Sequence, residues 1–313
     1  MTRHLRSLMD FSAADVGRVL DLAADVKRDP KRYATALAGK SIALIFAKQS
    51  TRTRVSFEVG CYQLGAQPLA LSTGGGTGMQ MGRGETISDT AKVMSRFVHA
   101  IVIRTFGQDQ VDGLAEHGSI PIVNALTDDF HPCQALADLL TIQERFGTTQ
   151  GKKLVYVGAA NNVSNSLMLA GPRAGMDVTV SSPDSLPVNP KVLERAQADA
   201  RAAGTKVEVV KDPFTAVKDA DVIYADTWVS MGEEEQSKAL IAKLDGYTIT
   251  RKLMEATGKD GSLFFHCLPA HRGEEVDAEV MDGKWSAVFD EAENRLHAQK
   301  AVLLLLLGGA PWT

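Results

Sequence analysis

Separated by two residues from the apolar run Ser41–Ala47, five residues stand in a row: Ser50-Thr51-Arg52-Thr53-Arg54. A helical pattern opens there. Hydroxyls, the N–H groups of a first helical turn and the helix dipole make such a junction an anion site. The arginines add forked donors suited to phosphate. One hydroxyl and one arginine would read as an N-cap and a solvated side chain, but five together favour phosphate. His131-Pro132-Cys133-Gln134 opens another helix, with proline at its first position. His131 and Gln134 are placed there to hold an oxygen that gains charge in a transition state. A histidine beside a proline is also an ordinary capping residue. Arg104 closes the run Ala100–Arg104, and strand ends in α/β sheets face the ligand crevice; a surface arginine is the plainer alternative.

In the second half, Lys153–Gly158 runs into Ala159-Ala160-Asn161-Asn162. The position suits a dinucleotide-binding turn, but the second glycine of G-x-G-x-x-G is missing, which argues against a nicotinamide dehydrogenase. Asn161 and Asn162 offer amides suited to a carboxylate or an amine. Asp226 precedes Trp228-Val229-Ser230-Met231-Gly232, and a strand-end carboxylate before a glycine-bearing loop suits an ammonium group and closure over it. A solvated turn fits that motif equally well. His266, Cys267 and His271 invite a zinc reading, yet one cysteine and a Pro269-constrained loop leave the ligand set short. Cys267 as a covalent nucleophile lacks a base at a recognised spacing. A backbone-lined substrate loop is the more economical reading, with no metal and no cofactor expected. Arg295 either joins the site or pairs with Glu291 four residues earlier.

These residues need a scaffold, and the chain alternates short apolar runs with helical patterns, the rhythm of βαβ units around parallel sheets. Strands are predicted at 41–47, 69–71, 100–104 and 120–124, then at 153–158, 177–181, 206–210, 221–226 and 262–267. Ser12 and Asp15 form a capping-box pattern ahead of Val16, Val19, Leu20 and Ala23. Helices are predicted at 51–65 (Val55, Val59 and Tyr62 at helical spacing), 86–97, 109–117 and 132–146. The glycine-rich stretch 74–84 reads as a mobile loop, and 287–307 as a short strand followed by a long apolar helix. The fold class is α/β, with parallel sheets in two domains joined by two helices. The first comprises 1–132 plus 290–313, the second 133–289.

The 313 residues carry 44% hydrophobic and 23% charged side chains. That length is about two domains' worth, and the composition excludes a disordered or disulfide-stapled chain. A net charge of −4 has no basic excess for nucleic acid. No apolar run reaches the roughly 18 residues of a membrane span. Three cysteines and no signal-like N-terminus fit a cytoplasmic protein.

In this order the motifs resemble the aspartate/ornithine carbamoyltransferase family, in its ornithine-using branch. The segments that carry the resemblance are STRTR (50–54), MQMG (79–82), HPCQ (131–134), Asn161-Asn162, DTWVSMG (226–232), HCLP (266–269) and ENRLH (293–297). The resemblance implies transfer of a carbamoyl group from carbamoyl phosphate to the δ-amine of L-ornithine, giving citrulline and phosphate, in arginine biosynthesis. It also implies two Rossmann-like α/β domains and a homotrimer with active sites at subunit interfaces. Carried over by motif, Ser50, Thr51, Arg52 and Thr53 hold the phosphate, and Gln80 reaches a neighbour's site. Arg104, His131 and Gln134 bind the carbonyl oxygen, and Arg295 contacts carbamoyl phosphate. Cys267 and Leu268 present carbonyls to the carbamoyl NH₂ and the attacking amine. Asn162, Asp226, Ser230 and Met231 position ornithine. By this reading Arg52, Arg104, His131 and Cys267 are catalytic. Two positions depart from the pattern: Ala159 stands where an aspartate is usual, and Ala47 where an acidic residue is common. The alternatives are a related acceptor (N-acetylornithine, N-succinylornithine or putrescine) or a catalytically silent regulatory trimer. Glu233, Glu234 and Glu235 argue against aspartate.

Overall fold

A computed structural model of the chain describes residues 2–72, 84–229 and 237–312. It divides into two compact units, Met1–Leu140 with Asn294–Thr313, and Thr141–Glu293. The first holds a four-stranded parallel sheet of β1 (Ser41–Phe46), β2 (Gln67–Ser72), β3 (Ala100–Arg104) and β4 (Ile122–Leu126), in the order β2-β1-β3-β4. All five residues of β3 are buried, as are all but the first of β1. That is why both read as unbroken apolar runs instead of alternating ones. The edge strand β2 is mostly exposed. Ala43, Ile45, Ile101, Ile103 and Ile122 pack with Ala91, Val111 and Leu114 from the flanking helices. The ladder between β3 and β4 shifts register between Ile103 and Arg104. Such irregularities re-aim a side chain beside functional positions.

The second unit holds a five-stranded parallel sheet of β5 (Lys153–Val157), β6 (Asp177–Ser181), β7 (Val207–Val209), β8 (Val222–Ala225) and β9 (Leu263–His266), in the order β7-β6-β5-β8-β9. Its core brings Val155, Val157, Ile223 and Phe264 against Leu253, Val280 and Trp285. The helices Pro132–Phe146 and Val288–Leu306 each begin in one unit and end in the other. The helix Ala13–Arg28 carries the capping box, with Ser12 Oγ accepting from Asp15 N (3.1 Å) and Asp15 Oδ2 from Ser12 N (2.9 Å).

Two expectations are corrected. Residue 287 opens no strand: the helix starts at Val288, and only Ser286 makes an isolated bridge, to Phe264. Strand β4 begins at Ile122 rather than 120, because Pro121 has no N–H for the ladder. Val55, Val59 and Tyr62 lie on the helix Thr51–Gln63 but are exposed at 52%, 37% and 79%, whereas Thr53, Phe57, Gly60 and Cys61 face inward. Periodicity locates that helix but not its buried side. Of the glycine-rich stretch, residues 74–83 lie outside the described residues. Among the described residues no helix is long and apolar enough to cross a membrane.

Candidate active site

The end of β1 feeds the helix Thr51–Gln63 through Ser50, whose extended backbone makes it the N-cap. Ser50 Oγ accepts from Thr53 N (3.3 Å) and donates to Thr53 Oγ1 (3.0 Å). Thr53 is wholly buried, and its hydroxyl oxygen also takes Arg295 Nη2 at 2.8 Å and Arg104 Nη1 at 3.5 Å. A residue 242 positions away in sequence thus completes a motif that begins at Ser50. Both arginines are buried, and Thr51 and Arg52 stand exposed on the first turn. Arg54 points elsewhere, into a pair with Glu58 (2.8 Å).

His131 is buried just ahead of Pro132, and its carbonyl accepts from Gln134 N (3.1 Å). Burial first, then the charges of Arg295 and Arg104, hold its pKa well below the ordinary histidine range. A cluster that suppresses a third positive charge favours an incoming anion, and a neutral imidazole N–H can still donate to a carbonyl oxygen. Gln134 Nε2 donates to Asp138 Oδ1 (2.8 Å). The adjacent Cys133 thiol, pushed up to about 12 by burial, stays protonated.

The depression of His131 links stability to pH. Between its folded value and the ordinary value of 6.5, the unfolded chain binds more protons than the folded one, so stability rises with pH through that window. Going down from 6.5, the folded state is penalised as the unfolded histidine takes up its proton. The slope for one proton is at most about 1.4 kcal/mol per pH unit. His131→Asn is expected to flatten the acid limb of a chemical-denaturation series between pH 7 and pH 5. An unchanged limb would show that His131 is not the group responsible.

In the second unit, the Asn161 side chain caps the helix Asn162–Arg173, with Oδ1 accepting from Val163 N (2.9 Å) and Ser164 N (3.2 Å). Its Nδ2 donates to Asp226 Oδ2 at 2.7 Å. Asp226 Oδ1 takes Thr227 N (2.8 Å) and the Cys267 thiol (2.9 Å). Three donors therefore fix a buried carboxylate just past the end of β8, and Cys267 Sγ acts as one of them. Asn161, the residue before the helix, thus links the helix start to Asp226. Leu268 adopts a left-handed backbone (φ 61°) before a cis peptide to Pro269. That region is sparsely populated by leucine. The Leu268 N–H donates to His266 Nδ1 at 2.9 Å. At Ala159 the carbonyl accepts from the Tyr156 hydroxyl (2.9 Å), whose pKa burial raises well above the ordinary tyrosine value. Gln80, Ser230 and Met231 lie outside the described residues.

Two groups of described residues bring ligand atoms within 4.8 Å of one another: Asp226, His266 and Cys267, and His271, Glu274 and Glu275. In the first, His266 Nδ1 and the Asp226 oxygens already accept hydrogen bonds. Motif and spacing do not point to Glu275, and they offer Glu291 only as a partner for Arg295. Both are fully buried beneath the end of β9, with Glu291 accepting from His266 N (2.8 Å) and the Tyr224 hydroxyl (2.9 Å). A buried glutamate carries no local signal in a sequence, since charge predicts exposure.

Fold and site together define a two-unit parallel α/β protein. One unit gathers hydroxyls and guanidinium groups at a helix start, and the other holds a hydrogen-bonded carboxylate at a strand end. Residues 3–144 match the aspartate/ornithine carbamoyltransferase carbamoyl-P binding domain, and residues 150–306 match the Asp/Orn binding domain. The chain is 51% identical to the ornithine carbamoyltransferase of Acidothermus cellulolyticus, over 99% of this chain and 98% of that protein. Its fold is similar to the ornithine carbamoyltransferase structure from Pyrococcus furiosus (TM-score 0.94, 46% identity, 99% and 98% covered). It is also similar to the anabolic ornithine carbamoyltransferase of Campylobacter jejuni (TM-score 0.90, 35% identity, 97% and 98% covered). The chain belongs to the aspartate/ornithine carbamoyltransferase family.

Proposed function

We propose that this chain transfers the carbamoyl group of carbamoyl phosphate to the δ-amine of L-ornithine, giving L-citrulline and phosphate, in the cytoplasm and in the direction of arginine biosynthesis. The convergence of Arg104 and Arg295 on Thr53, beside a neutral His131, carries the reading. The full-length likeness to ornithine carbamoyltransferases supports the acceptor. In this proposal the helix start at Ser50–Thr53 holds the phosphate, and Arg52, Arg104, His131 and Gln134 polarise the carbonyl. The neutral amine's lone pair attacks the carbonyl carbon, and the oxyanion that forms is met by the arginines and the imidazole N–H. The carbon–oxygen bond to phosphate then breaks, and the leaving phosphate takes the proton from the attacking nitrogen. Positioning and charge stabilisation supply the rate. The carbonyls of Cys267 and Leu268 accept from the carbamoyl NH₂ and the amine. Asp226 binds the acceptor's ammonium group, with Asn162, Ser230 and Met231 around it and Gln80 serving a neighbouring subunit.

The deciding assay offers carbamoyl phosphate with ornithine, N-acetylornithine, N-succinylornithine, putrescine and aspartate in parallel. Ureido product is expected from ornithine. Product from any other acceptor with none from ornithine would overturn the choice, and none from any would favour a silent binding protein.

The assembly in this reading is a homotrimer. Val55, Val59 and Tyr62 on one helix and Phe97 on another (71% exposed) stand bare on a single chain. Apolar surface left uncovered in this way marks interaction sites. Val59→Asp with Tyr62→Asp is expected to lower the mass measured by light scattering from three chains to one and to remove most activity. A variant that still runs as a trimer would show that this helix face lies outside the interface.

A further inference from the structure

We propose that Glu275 is a positioning residue for the carbamoyl-accepting loop: it holds His266 in the tautomer that anchors the Leu268 peptide. Leu268 N donates to His266 Nδ1 at 2.9 Å, so Nδ1 carries no proton and the ring's N–H is on Nε2. That nitrogen is 3.3 Å from Glu275 Oε1. Both side chains are completely buried. Glu275 Oε1 also accepts closely from His271 N, at the far end of the same loop, and Oε2 lies 3.8 Å from His271 Nδ1. One carboxylate therefore stands at both ends of the loop: it accepts from the His271 N–H, and its Oε1 is the charge nearest the buried His266 Nε2, close to that ring N–H but not aligned with it as a hydrogen bond.

Burying a carboxylate is costly unless donors surround it. A hydrophobic residue would fill the space without that cost, so the charge needs a reason. The reason lies between its two contacts, where Leu268 is held at φ 61°. A leucine leaves that region unless something over-determines it. The anchor on its N–H is the histidine nitrogen that Glu275 keeps unprotonated. Exchange of the tautomer would set a ring N–H against the Leu268 N–H, donor facing donor, and release the peptide. Glu291, which accepts from the His266 backbone N–H at 2.8 Å, fixes where the residue sits, whereas Glu275 fixes which ring nitrogen accepts.

The inference rests on the proposed assignment of the Leu268 carbonyl to the carbamoyl NH₂ and the incoming amine. The test compares Glu275→Leu with Glu275→Gln, which keeps an acceptor oxygen. Readouts are kcat and KM for each substrate and the ¹⁵N shifts of the His266 ring. Glu275→Leu is expected to lower kcat about 10–100-fold, the scale of a small misplacement of reacting groups. KM for carbamoyl phosphate should change less than about threefold, because the phosphate cradle is untouched. The His266 ring should shift toward the Nδ1–H tautomer. Glu275→Gln should recover most of kcat and the original tautomer. An unmoved tautomer in Glu275→Leu overturns the proposal whatever the rate. A moved tautomer with wild-type kcat overturns the role given to the Leu268 carbonyl, and the proposal with it. Should Glu275→Leu fail to fold, the wild-type spectrum still decides: a protonated Nδ1 on His266 would refute the arrangement.

Discussion

Arg104→Ala is expected to lower kcat about 100–1000-fold, or ~2.7–4 kcal/mol of transition-state stabilisation, the scale of losing one preorganised oxyanion donor. The expectation follows from where the guanidinium is held. Arg104 ends β3 at a register shift, is buried, and reaches Thr53 Oγ1 at 3.5 Å, in company with Arg295 at 2.8 Å. A donor fixed in advance in a poorly solvated place does not have to reorganise when charge develops, and water admitted by alanine cannot match it. Since Thr53 keeps Arg295, KM for carbamoyl phosphate should rise less than kcat falls. Steady-state kinetics on folded variant separates the two. Turnover within about threefold of wild type would remove Arg104 from the chemistry, since the oxyanion scale begins near 100-fold.

Asp226→Asn should strike the other substrate. The carboxylate is held by Asn161 Nδ2 at 2.7 Å, Thr227 N at 2.8 Å and the Cys267 thiol at 2.9 Å, a fixed acceptor suited to the ammonium group assigned to it in the proposed function. Removing one partner of a desolvated, hydrogen-bonded charge pair costs about 2–5 kcal/mol, or at least about 30-fold in affinity at the lower end. KM for ornithine is expected to rise by that factor or more, while binding of carbamoyl phosphate, measured by calorimetry, stays within about twofold of wild type. An ornithine KM that barely moves would place the ammonium group elsewhere.

Both expectations rest on positions that are visible in the chain before any fold is drawn, and the reason is physical. Ser50, Thr53 and His131 sit at helix starts, and Arg104 and Asp226 at strand ends. These are local junctions whose chemistry a short window of sequence carries. What stays hidden depends on distant partners. Arg295 is open between two roles until Thr53 is seen beside it. Val55, Val59 and Tyr62 have the right spacing for a packed face, but spacing cannot say against what, and on the single chain they are bare. Glu275 and Glu291 sit in charged stretches that read as solvated, and only the close of β9 over them shows two buried carboxylates. The absence of an aspartate at Ala159 is plain in the sequence. That the Tyr156 hydroxyl occupies its carbonyl is not.

The helix Val288–Leu306 carries Glu291, bound to the Tyr224 hydroxyl and the His266 N–H, and one turn later Arg295, bound to Thr53. Further along, Lys300 Nζ reaches Gln63 Oε1 at 2.8 Å, and Arg18 Nε reaches the Pro311 carbonyl at 3.0 Å. These contacts tie residues beyond 290 to residues before 64. The ribosome delivers the four strands of the donor unit early, but the guanidinium that Thr53 accepts from is added only after the whole acceptor unit has been made. The nascent donor unit must wait, with Thr53 and Arg104 short of their third partner, for the intervening residues Thr141–Glu293 to emerge.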